Sequence, residues 1–140
     1  MIPKATTVKI GADVAVQTAA DAPSRTYKIA FDAGRVGGFC DSTEAMKQAI
    51  YKILQTERFE FLIYSWNYGI ELNAVVGKSY QVFASEIKRV IREALLADSR
   101  ITDVTDFEVA QIDKRTASVK FTAETIFGEI PIESEVNVNV

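Results

Sequence analysis

Histidine is absent from this chain of 140 residues. That removes the commonest general base and the commonest metal ligand. Ser–His and Cys–His activation of a nucleophile are excluded, and so are Cys/His zinc sites. Cys40 is the only cysteine, so no internal disulfide can form. The net charge is −3, with acidic and basic residues mixed along the chain. No Lys/Arg cluster is dense enough to displace many counterions from a phosphate backbone, so no nucleic acid is expected as a partner. No apolar run approaches the roughly 18–20 residues that span a bilayer, so no membrane is expected either. Neither GxGxxG nor GxxxxGK[ST] occurs, and no Asp-rich calcium loop. The expectation is no catalytic residue, no metal ligand and no cofactor. Met1–Ile10 carries Lys4 and Lys9 without a continuous apolar stretch, which does not read as a secretory signal. Cytoplasmic synthesis is the default.

What remains is a globular composition, 48% hydrophobic and 25% charged, in a length that suits one domain. Residues 1–25 are Ala/Thr-rich and weakly patterned, between Pro3 and Pro23. They read as an N-terminal extended arm or as a frayed terminus. Residues 26–140 read as a single domain. Thr26–Asp32 alternates, with Tyr27, Ile29 and Phe31 on one face; a turn at residues 32–35 leads to a return strand over Val36–Phe39. Gly37 and Gly38 suggest a bulge or a close backbone approach there. Asp41 opens a helix, with Glu44 three residues on as an acidic capping box. Met46, Ala49, Ile50, Ile53 and Leu54 form its apolar stripe, and it ends near Gln55.

Five aromatics then fall between Phe59 and Tyr68. Phe59–Tyr64 suggests a short buried strand, and residues 66–69 an irregular turn in which Gly69 supplies a conformation other residues resist. A second helix runs from about Ser79 to Ala97. Strands follow at Val104–Ile112, across a turn at residues 113–115 into one containing Ala117, Val119, Phe121 and Ala123, then along Ile130 and Ile132 to the tail Val136–Val140. Pro131 marks an edge or irregular strand. The fold class is α+β: a small mixed or antiparallel sheet packed against two main helices, with the N-terminal extended arm.

Two features carry function. The aromatic block is either core or a partner-facing patch of Arg58, Glu60, Tyr64, Trp66, Tyr68 and Gly69, because Trp, Tyr and Arg anchor interfaces. Arg58 and Glu60 could pair with each other. The alternating C-terminal strands are either an ordinary sheet or a strand-accepting edge. Glu57, Glu60 and Glu71 are the carboxylates a hydrolase would need, about 5–9 Å apart for glycoside hydrolysis, a distance that sequence spacing does not establish.

The run Ala45–Gly69, with Ser85–Arg89, Glu93–Leu95 and Val104–Val109, resembles XkdS-type proteins of phage-like elements. These are a branch of the contractile-tail baseplate wedge and sheath-initiator family, similar to the small wedge subunit of T-even phages and a type VI secretion baseplate component. The resemblance covers most of residues 26–136. The wider family's Glu-Arg dipeptide is Glu57-Arg58 here, followed by Phe59-Glu60 rather than the usual continuation. The resemblance implies a structural, non-catalytic subunit of a phage tail, defective prophage or tailocin, assembled in the bacterial cytoplasm. Its implied partners are the tail sheath protein, other baseplate wedge and hub proteins and the tail tube region, with six copies per particle. It also implies sheath docking by strand addition, placed on Val119, Phe121, Ile130, Ile132, Val136 and Val138. A chain lacking residues 129–140 should then fold but not start a sheath. The alternatives are a carboxylate-dependent peptidoglycan hydrolase, a label some relatives carry, and a cytoplasmic adaptor.

Overall fold

The computed structural model describes residues 6–10, 14–18 and 24–138. Within the expected N-terminal arm, β1 (Thr6–Ile10) and β2 (Val14–Thr18) pair antiparallel, and the rest of the arm up to residue 23 lies outside the described residues.

A second hairpin joins β3 (Thr26–Ala30) to β4 (Arg35–Cys40). Tyr27 lies opposite Phe39 and Ile29 opposite Val36, so Gly37 and Gly38 together face Lys28. That is the expected bulge, and Gly38 takes a φ of +74° that its missing Cβ permits. Helix α1 (Ser42–Gln55) follows. The Asp41 carboxylate caps it, accepting from the Ser42 backbone N–H at 2.7 Å and from the Ser24 hydroxyl. The reciprocal half of the capping box does not form: Glu44 turns instead to the Lys28 ammonium, 2.5 Å away. Gln48 is buried on α1 and pins the hairpin down. Its amide donates to the Tyr27 carbonyl at 2.7 Å and accepts from the Ile29 N–H at 2.9 Å.

A short 3₁₀ turn at Leu72–Ala74 leads to α2 (Tyr80–Leu96). After α2, Asp98 accepts from the Arg100 backbone N–H at 3.0 Å and from its guanidinium at 2.9 and 2.7 Å. The guanidinium bond above all holds the Asp98 carboxyl below the usual carboxylate range. The chain then forms an antiparallel sheet in the order β5-β6-β7, from Ile101–Gln111, Thr116–Thr125 and Gly128–Asn137. Its inner face carries Val104, Ala117, Val119, Phe121, Ala123 and Ile130, all buried, against Met46 and Ile50 of α1 and Phe83, Ile87 and Leu95 of α2. Helix α2 lies along β5, while α1 touches β7 and β3. The α+β class and the two-helix, antiparallel-sheet packing are as expected. The alternating tail reaches Val138; residues 139 and 140 lie outside the described residues.

Candidate functional site

The aromatic block is neither strand nor core. Residues 58–69 form turns, tied to the fold by one isolated bridge between Glu57 and Ile70. Leu62 is fully exposed, Ile63 is 85% exposed and Trp66 79%. Phe59, Phe61 and Tyr64 are also exposed, so the expected buried strand at Phe59–Tyr64 does not exist. A strand needs a partner for its backbone, and among the described residues no strand pairs with this segment. Only Tyr68 reaches the core, half-buried, with Tyr64 stacked on it at 4.6 Å between ring centroids. Burial raises the Tyr68 phenol above its ordinary pKa, keeping it neutral.

The loop is nonetheless held. The Glu57 carboxylate accepts from the backbone N–H groups of Leu72 and Asn73, at 3.2 and 3.1 Å. Arg58 Nε donates to the Trp66 carbonyl at 3.0 Å, its guanidinium lies 4.9 Å from the Phe59 ring centre, and one nitrogen is 3.9 Å from Glu71. Of the two readings of Arg58 and Glu60, a mutual pair or presentation to a neighbour, the pair does not form: Arg58 makes a clasp across the loop instead. Gly69 closes it with φ +101°; a Cβ there would stand 2.6 Å from the Thr56 carbonyl oxygen. Glu57 and Glu71 are thus engaged in holding the loop's feet. Among the described residues, no three His, Cys, Asp or Glu side chains gather as a metal site, and no helix is long and apolar enough to cross a membrane.

The C-terminal sheet divides the other candidates. Val119 and Phe121 lie on β6, the central strand, whose backbone is paired on both sides, and their side chains are buried. Ile130 is fully buried. These three build the core beneath the sheet. Ile132 and Val136 are half-buried on the inner face of β7, and Val138 follows at its end.

The two sheet edges differ in a way the sequence did not reveal. On β5, two outward carbonyls are already occupied: Arg92 Nη1 donates to Val104 at 3.0 Å, and the Tyr80 hydroxyl to Val109 at 3.4 Å. A register shift between Thr105 and Glu108, with Asp106 at φ +55°, also bends that edge. On β7, Val138 N–H donates to Arg115 on the β6 side. With a period of two, even-numbered residues of β7 therefore bond to β6, and odd-numbered ones face out. Pro131 is odd, so its missing N–H leaves the ladder to β6 intact. Beyond it, the outward groups of Glu133, Glu135 and Asn137 have no partner among the described residues. Two clefts of about 510 and 440 Å³ run beside this stretch. Their walls come from α1, the Glu57–Phe61 and Ile70–Val76 segments and β7, with no residue of β5 or β6.

The model of the contractile injection system sheath initiator family matches residues 16–128. The chain is also similar to the phage-like element PBSX protein XkdS of Bacillus subtilis (strain 168), with 39% identity over 132 residues covering 91% of this chain and 93% of that protein.

Proposed function

The chain belongs to the contractile injection system sheath initiator family, and on that premise we propose that it is a structural baseplate wedge subunit that starts sheath assembly by accepting a strand on β7. The observation that carries this reading is the asymmetry of the sheet: side chains occupy the β5 edge at Val104 and Val109, and the β7 edge is open beside a cleft. Strand addition suits a contractile joint because backbone hydrogen bonds hold while subunits tilt. In this reading six copies surround the tail tube, assembled in the bacterial cytoplasm. Ile132, Val136 and Val138 underlie the incoming strand. The exposed loop, with Arg58, Tyr64, Trp66, Tyr68 and Gly69 shaping it and Glu60 beside it, meets neighbouring wedge or hub proteins. An apolar tip on a clasped base is what an interface anchor requires, since little ordering entropy remains to be lost on binding.

Glu135→Pro tests it. The substitution removes one outward N–H and leaves pairing with β6 intact, as Pro131 does naturally. Particles complemented with Glu135→Pro should show baseplates and tubes without sheath by electron microscopy. Gln111→Pro, an outward position on β5, should support sheathed tails. Normal sheathing with Glu135→Pro would refute strand addition at β7.

A further inference from the structure

The outer face of the sheet carries charge in rows across the strands. Glu108 on β5 lies opposite Lys120 on β6, which lies opposite Glu133 on β7. The Lys120 ammonium is 3.3 Å from the Glu133 carboxylate. The sign therefore alternates along this row, and β7 ends it on a negative charge. In the next row Ala110, Ser118 and Glu135 are neighbours, so Glu135 ends its row without a cation beside it. Both carboxylates belong to residues whose backbone groups face outward. Directly opposed residues on paired strands bring their side chains within about 5 Å of each other, where opposite charges attract and like charges repel. The inner side is different. Leu54, Ile70 and Val76 give the 440 Å³ cleft beside Val136 its apolar wall, Gln55, Glu57 and Glu60 lie among its polar lining, and no Lys or Arg lines it.

We propose that the open edge of β7 selects an extended segment of another protein in which two basic residues, two positions apart, lie opposite Glu133 and Glu135, with apolar residues on either side of and between them. The basic residues continue the outer charge rows. The residues between them turn inward to the cleft. Pro131 sets the register, because it offers no donor and confines full pairing to Glu133–Asn137. A second copy of this chain pairing antiparallel through its own β7 is disfavoured, since Glu135 would be set against the Glu135 or the Glu133 of the other copy. This inference rests on strand addition at β7 and adds the partner's sequence pattern to it.

The direct test is fluorescence anisotropy with the full-length protein and labelled peptides of alternating Lys and Val. A peptide of identical composition with its lysines grouped at one end controls for charge alone, and an alternating Glu/Val peptide for edge pairing alone. The alternating Lys/Val peptide should bind at least about tenfold more tightly than either control. The double substitution Glu133→Lys, Glu135→Lys should reverse the preference between the Lys and Glu peptides. Equal binding of all three, or no reversal, would overturn the charge rule, and so would β7-dependent dimerisation by sedimentation. Sheath assembly separates this rule from its premise. If Glu135→Pro blocks sheath but the double lysine variant assembles normally, strand addition stands and the charge rule falls. If Glu135→Pro assembles normally, the premise itself fails.

Discussion

Gly69 shows how one residue places a surface twelve residues long. The loop leaves α1 at Thr56 and must return beside it, and at the crossing Gly69 passes against the Thr56 carbonyl and the Arg58 backbone. Only a residue without a Cβ fits, both for space and for the φ of +101°. Gly69→Ala should destabilise the protein by about 2–3 kcal/mol in chemical denaturation. An unchanged denaturation midpoint would show that the crossing relaxes freely. The need for glycine here was legible in the sequence, from its place after an aromatic turn. The task of Arg58 was not: its main partner is a backbone carbonyl eight residues away, and main-chain acceptors carry no sequence signature.

At the scale of elements, the two helices, the β3–β4 hairpin and the last three strands were legible because each is long enough to show a period. Phe59–Tyr64 misled because aromatic residues favour strands only where a pleated, half-buried surface exists to receive them. Here the same residues face outward on turns. The opposite failure occurred at Gln48, a polar residue on a buried helical face whose purpose appears only when the hairpin lies across it. Gln48→Ala leaves the Ile29 N–H and the Tyr27 carbonyl without their partner, at a cost of about 1–3 kcal/mol. That cost should fall on the hairpin more than on the C-terminal sheet, which shares no hydrogen bond with it. Cys40 reports on this directly, being the only cysteine and buried at the end of β4. Its labelling by a thiol reagent should quicken on the order of tenfold in Gln48→Ala. An unchanged labelling rate would mean that the stacked Tyr27 and Phe39 rings and the Lys28–Glu44 pair suffice to hold the hairpin.

The whole molecule decides what the C-terminal strand can be. Strand order is not written in local pattern: Pro131 marks its strand as an edge or irregular one, but nothing in the sequence marks β6 as central. Val119, Phe121 and Ile130 alternate as well as Ile132 and Val136 do, yet the first three are fully enclosed. This burial argues against the expectation that a chain lacking residues 129–140 stays folded. Removing them takes Ile130 and Val138 from the core and Ile132 and Val136 from its margin. Losing a large buried aliphatic side chain costs about 2–5 kcal/mol. Two or more such losses rival the whole stability of a domain this size, about 5–15 kcal/mol. The cut would also bare the apolar central strand β6 as a new edge, a template for aggregation. The truncated chain should therefore lack a cooperative thermal transition by circular dichroism and sediment as aggregates, whereas Glu135→Pro should keep both the transition and the monomer. If the truncated chain melted cooperatively, β7 would be an appendage rather than part of the core. The same strand would then be free to leave its place and pair elsewhere, and the fixed accepting edge argued for β7 would have to give way to a donated strand.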